Sequence, residues 1–208
     1  MARENNMKIL CPLHNHFHLS ISERLSAIVL VFFVLLCLPI SLHAAQFTVE
    51  EVLDGDMIRA TGHGTEITVR LAGIDAPELC PQDNDLAQPF SAEAKQYLEK
   101  LVLNKRVSLR SYGEKRYGIF WGEIFLGKKN INLEMIRTGY AEAYRGESPK
   151  NLDLAPYFET EKQARAAKKG IWVQGKKYIS PVAWRKRQKA RCSFATILYN
   201  LLRQKGKK

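Results

Sequence analysis

The chain has 208 residues and a formal net charge of +11, from 32 Lys and Arg against 21 Asp and Glu. The charge is unevenly placed: residues 45–184 hold 20 basic and 19 acidic side chains, whereas residues 185–208 hold nine basic and no acidic ones. That distribution excludes a polyanion-binding face spread over the whole molecule, and four cysteines, two of them before residue 45, exclude a disulfide scaffold.

Residues Ala27 to Leu42 form an apolar block, preceded by Arg24 and followed by His43-Ala44-Ala45. A basic flank, an apolar stretch and small residues at its end are the pattern of a secretory signal, so residues 1–45 are expected to be removed on export. The alternative is an N-terminal membrane anchor, although the block is short for a span of roughly 20 residues. The chain from residue 46 onward is long enough for one domain with its own core. Export would permit a disulfide between Cys80 and Cys192, but one pair does not require it.

Alternating apolar residues predict strands over Phe47–Leu53, Met57–Thr61 and Glu66–Ile74, with Thr61-Gly62-His63-Gly64 as a hairpin turn. Residues 80–89 read as a surface loop, and Asp83-Asn84-Asp85 cannot open an EF-hand loop because its twelfth position would be Ala94. Ser91 is expected to cap a helix whose apolar face carries Ala94, Leu98, Leu101 and Val102. Two more strands come next, Arg106–Arg110 and Ile119–Leu126, joined by residues 111–118. Asn130–Thr138 ends in Gly139 and Pro156–Lys169 ends in Gly170, both as helices. Five short strands with a helix after the third and more after the fifth suit a small closed barrel, an α+β but mainly β fold. The expected boundaries are a domain over residues 46–175 and a basic tail over 176–208. In that tail Arg185-Lys186-Arg187-Gln188-Lys189 is a basic run, and Phe194, Ile197, Leu198, Leu201 and Leu202 have the spacing of an amphipathic helix suited to an anionic membrane surface or a partner.

The residues with chemistry to offer sit at strand ends. Asp54-Gly55-Asp56 closes the first strand, and Val69-Arg70-Leu71-Ala72-Gly73-Ile74-Asp75-Ala76-Pro77-Glu78 runs from the third into a loop. Aspartates offer hard oxygen ligands to Ca²⁺, an arginine offers a planar fork to phosphate, and a glutamate can take a proton from water. Those are parts of a metal-dependent phosphodiester hydrolase. The plainer reading is structural: Asp56 caps a turn, Arg70 pairs with Asp75, and Glu78 is solvated.

These segments, with Arg116-Tyr117-Gly118, Asn130-Ile131-Asn132-Leu133-Glu134-Met135-Ile136-Arg137-Thr138-Gly139-Tyr140-Ala141 and Ala167-Lys168-Lys169-Gly170-Ile171-Trp172, resemble the staphylococcal nuclease-like thermonucleases in order and spacing from about Phe47 to Trp172. The resemblance implies a five-stranded OB-type β-barrel with three helices and calcium-dependent hydrolysis of DNA and RNA, with no nucleotide cofactor. It implies Ca²⁺ on the carboxylates of Asp56 and Asp75 and on the backbone carbonyl of Ala76, with Asp54 supporting them. Glu78 would be the general base and Arg70 the phosphate clamp, with Arg116, Tyr117 and Tyr144 as candidates near the nucleotide. One departure stands out: Ile119 comes after Tyr117-Gly118 where the family has a second arginine, and Arg116, Lys115 or Arg145 are the neighbours that could substitute. Met57 replaces a threonine, at most weakening a supporting hydrogen bond. The alternative to a working enzyme is a catalytically impaired OB-fold module that binds nucleic acid.

Overall fold

The structure is a computed structural model that describes residues 45–80 and 87–187, together with Ser26 and Leu30. The two compact units of the chain are Met1–Leu42 and His43–Lys208, and the strands and helices named here all lie in the second. The apolar N-terminal block apart from Leu30, residues 81–86, Cys192 and the amphipathic segment beyond residue 190 lie outside the described residues, as do the side chains of Lys115 and Arg116.

Among the described residues there are eight strands: β1 (Gln46–Asp54), β2 (Met57–Gly62), β3 (Thr65–Leu71), β4 (Ile74–Asp75), β5 (Arg106–Arg116), β6 (Ile119–Leu126), β7 (Lys129–Asn130) and β8 (Glu142–Ala143). The main sheet runs β3-β2-β1-β5-β6-β7, and a parallel pairing of β3 with β6 closes it. The five long strands therefore form a closed barrel, which leaves few unpaired edges. Alternation along each strand puts Val49, Ile58, Val69, Leu71, Val107 and Ile124 inside. β5 is longer than the sequence pattern suggested, because Tyr117 and Gly118 make a two-residue turn with positive φ at both positions, matching the twist of the strands they join.

Among residues 45–187 the helices are α1 (Ser91–Val102), α2 (Ile131–Arg137), α3 (Ala155–Ala166), a 3-10 helix (Gly170–Lys177) and α4 (Pro181–Arg187). The three expected helices are present, and the last two are additional. Ala94, Leu98 and Val102 turn inward from α1 as their spacing required. Ser91 is not its cap: Phe90 holds that position in a left-handed conformation, and Ser91 is the first, buried helical residue. In α2 the cap is Asn130, whose side chain accepts from the Leu133 N–H at 3.1 Å. Asn132, fully buried, accepts from the Ile124 N–H and donates to the carbonyls of Ala72 and Gly122, tying α2 to the end of β3.

β3 does not continue to Ile74. It stops at Leu71, and Gly73 turns the chain at φ +80° with the Tyr157 ring 2.7 Å from where a Cβ would lie. Ile74 and Asp75 then pair with Ala143 and Glu142 in a separate two-stranded ladder. That break presents Asp75 to the end of the barrel. The fold also runs past residue 175, where the sequence suggested a tail. The Tyr178 ring packs on Trp172 at 4.6 Å, and Gln88 reaches across to donate to the Ile179 carbonyl at 2.8 Å.

Candidate active site

The turn after β1 and the loop after β4 bring four carboxylates into one buried cluster. Asp54, Asp56, Asp75 and Glu78 are 8%, 5%, 0% and 7% exposed. Gly55 permits this approach: a Cβ there would lie 2.7 Å from the Ala76 Cβ and 2.9 Å from the Ala94 Cβ. Arg70, from β3, joins the two aspartates, its Nη2 donating to Asp56 Oδ2 and to Asp75 Oδ1 at 3.0 Å each. Asp54 Oδ1 accepts from the Gly55 N–H at 2.7 Å, and Asp56 Oδ2 also accepts from the Ala76 N–H at 3.4 Å. Arg70 does pair with Asp75, as the plainer reading held, but Glu78 is buried rather than solvated.

Electrostatics follow from this crowding. Burial, then the neighbouring charges of Asp56 and Glu78, hold the Asp54 carboxyl well above the usual carboxylate range. Burial also raises Asp56, partly offset by Arg70. Glu78 is pushed up to about 7, first by burial, against the lowering effect of Arg185. Burial works against the charge on Arg70, but Asp56, Asp75 and Glu78 outweigh it and strengthen its hold on the proton.

Arg185 is the residue that sequence reading missed. Placed in a basic run, it instead projects from α4 into the carboxylates. Its Nη1 donates to Asp75 Oδ1 at 3.0 Å and to Glu78 Oε1, and its Nη2 donates to Asp75 Oδ2 at 2.7 Å. A signal existed: four acids with one arginine among them leave an excess of negative charge that a buried site must balance. Of the neighbours considered for that duty, Arg145 is committed elsewhere, to Glu161 and the Ala143 carbonyl.

The expected nucleotide contacts divide. Tyr144 stands beside the site, its ring 6.3 Å from Trp121, on a small cavity bounded also by Arg70. Tyr117 is 68% exposed at the tip of the β5–β6 turn and takes no part in the cluster. The Arg116 side chain lies outside the described residues. Ile119 is 4% exposed and packed as an apolar residue.

For a cation, the donor set is hard oxygen: two carboxylates held within reach of one nitrogen, next to the Ala76 peptide. Among the described residues no group of three or more His, Cys, Asp or Glu side chains converges as a ready-made metal cage. Two carboxylates with water and phosphate oxygens completing the shell are hard donors of the kind a divalent cation takes, and in this structure both oxygens of Asp75 are held by Arg185.

Comparison with known proteins agrees with the geometry. Residues 68–174 match the family described as staphylococcal nuclease homologue. The chain belongs to that family. An uncharacterized endonuclease of Haemophilus influenzae is 34% identical over 147 residues, covering 70% of this chain and 76% of that relative. Probable endonuclease LCL3 of Pyricularia oryzae is 35% identical over 133 residues, and that of Candida glabrata 37% over 127. The chain spans about half of the length of these two relatives, 51% and 49%. Membership of the staphylococcal nuclease homologue family places the chain among hydrolases of the nuclease class.

Proposed function

We propose that this protein is an exported, calcium-dependent phosphodiesterase that hydrolyses DNA and RNA. The observation that carries the reading is the buried cluster in which Arg70 bridges Asp56 and Asp75 while Glu78 stands beside them. In this reading Asp56, Asp75 and the Ala76 carbonyl would hold Ca²⁺, which when bound supplies positive charge that polarises the phosphate and its attacking water. Asp54 supports the cluster through its bond to the Gly55 N–H. Glu78 takes a proton from the water as the water oxygen bonds to phosphorus, and the bond to the sugar oxygen breaks, that oxygen leaving with a proton from solvent. In the metal-free protein burial pushes its carboxyl up to about 7, which makes it more basic than a solvated carboxylate. Arg70 donates to the non-bridging phosphate oxygens as charge accumulates on them. The apolar block at residues 27–42 supports export, with membrane anchoring as the variant of the same reading.

The test is digestion of single-stranded DNA and RNA by the purified chain, with calcium or with chelator, beside a Glu78→Gln control. Calcium-dependent cleavage absent from the control is expected. Cleavage that persists in chelator, or in the control, refutes the assignment.

One observation favours a second reading, a nucleic-acid-binding module that does not cleave: Ile119 is a buried apolar residue where the family has an arginine. It predicts no product under any metal, and salt-sensitive binding that weakens when residues 188–208 are deleted.

A further inference from the structure

Phosphodiester cleavage spreads added negative charge over the phosphate, and one arginine on one side of it leaves the opposite flank uncompensated. The chain carries a second guanidinium at this place. We propose that Arg185 is a catalytic arginine that binds the scissile phosphate opposite Arg70, in place of a side chain from position 119. The inference rests on the proposed nuclease function.

Three observations carry it. First, Arg185 is in hydrogen-bond contact with both Asp75 and Glu78, and it shares Asp75 Oδ1 with Arg70. A group touching the cation-binding carboxylate and the general base is within reach of any phosphate that sits beside them. Second, Arg185 is not sealed in. It is 23% exposed and borders an open cleft of about 560 Å³ that Tyr144 also lines. Tyr144 likewise borders the smaller cavity at Arg70, and Arg145 and Arg165 line the larger cleft together with Arg185. Third, the short helix carrying Arg185 is fastened to the loop carrying Glu78. The buried Gln88 side chain accepts from the Glu78 N–H at 3.1 Å and donates to the Ile179 carbonyl, two residues before α4. The Ala183 N–H is capped by Ser180 Oγ at 3.2 Å. Arg185 is therefore held by the same element that orients the base.

A guanidinium bonded to both oxygens of Asp75 competes with a cation for them. With Asp75 given over to a cation, Arg185 would remain charged beside Glu78 and bordering the cleft, where its planar fork would match two phosphate oxygens. It transfers no proton; it supplies two donors.

The experiment compares the full chain with Arg185→Ala, Arg185→Lys and the double variant Ile119→Arg/Arg185→Ala. The readouts are calcium-dependent cleavage of single-stranded DNA, calcium affinity by calorimetry, and folding by circular dichroism. Expected are a loss in kcat on the order of 10²–10³ for Arg185→Ala, calcium binding as tight as in the parent or tighter, partial recovery with lysine, and recovery to within about tenfold in the double variant. Lysine keeps the charge and serves if the alanine variant fails to fold. Cleavage by Arg185→Ala equal to or faster than the parent overturns the proposal and makes Arg185 a plug. Joint loss of calcium binding and cleavage without rescue at position 119 also overturns it, leaving a structural ion pair. A parent chain that never cleaves refutes the nuclease reading, and this proposal with it, and is recognised because the parent itself is silent.

Discussion

Replacing Glu78 with glutamine separates what the site does from what it costs the fold. The Glu78 carboxyl is 7% exposed, and its pKa is raised from 4.5 to about 7, chiefly by burial. Each unit of difference between folded and unfolded states is worth about 1.4 kcal/mol, so the ionised side chain penalises the metal-free fold by about 3 kcal/mol. The sign follows from which state holds the proton more tightly. Below pH 4.5 both states are protonated, and glutamate and glutamine differ little. Between 4.5 and 7 the unfolded chain gives up the proton while the folded one keeps it, so stability falls as pH rises. Above 7 the full penalty is present, and glutamine escapes it. Glu78→Gln should therefore melt close to the parent at pH 4.5 and roughly 6–12 °C above it at pH 8, using about 2–4 °C per kcal/mol for a domain of this size. The assay is thermal unfolding in chelator by circular dichroism at half-unit pH steps, alongside cleavage assays in which the same variant is inactive. A melting difference that stays constant from pH 5 to 8 would refute the assignment of a strained, buried carboxylate at position 78.

Two further outcomes test the scaffold and the limits of the site. Asn132→Ala removes three bonds at once; the Gly122 carbonyl keeps the Ala72 N–H, but the Ile124 N–H and the Ala72 carbonyl lose this partner. The expected loss is about 2–4 kcal/mol in a urea titration, with the slope unchanged. Tyr117→Ala, at an exposed turn remote from the carboxylates, should leave kcat/KM for single-stranded DNA within about twofold; a tenfold fall would place the β5–β6 turn on the substrate path.

The parts of the fold legible in the sequence are those set by local pattern. Helical spacing at Ala94, Leu98 and Val102 reports on a burial face that the structure buries, whereas in β1 the alternation holds as far as Val49, after which a bulge turns Val52 and Leu53 into the core. Asp56, Arg70, Asp75 and Glu78 were legible as a group because two short segments carry them in a recognisable order, and the structure brings them together. Where reading failed, the cause was a contact between distant positions or a backbone turn. The break at Gly73 depends on Tyr157 from α3 packing against the turn, which no window around residues 66–74 contains. Arg185 lies 110 residues from Asp75, and a run of Arg-Lys-Arg gives no hint that its first member alone turns inward.

The charge balance of the site explains why that arginine belongs to the fold as well as to the chemistry. Asp75 is fully buried with two guanidiniums on it, and Glu78 is nearly so with one. Burying carboxylates without partners would cost several kcal/mol each, so the chain must balance the cluster with a cation besides Arg70. It does so from α4, beyond the barrel and its three expected helices. Replacing Arg185 with alanine thus leaves Asp75 with Arg70 alone and Glu78 without its guanidinium in the metal-free protein. For that reason the lysine variant and the rescue at Ile119 discriminate chemistry from stability where loss of activity in the alanine variant alone does not.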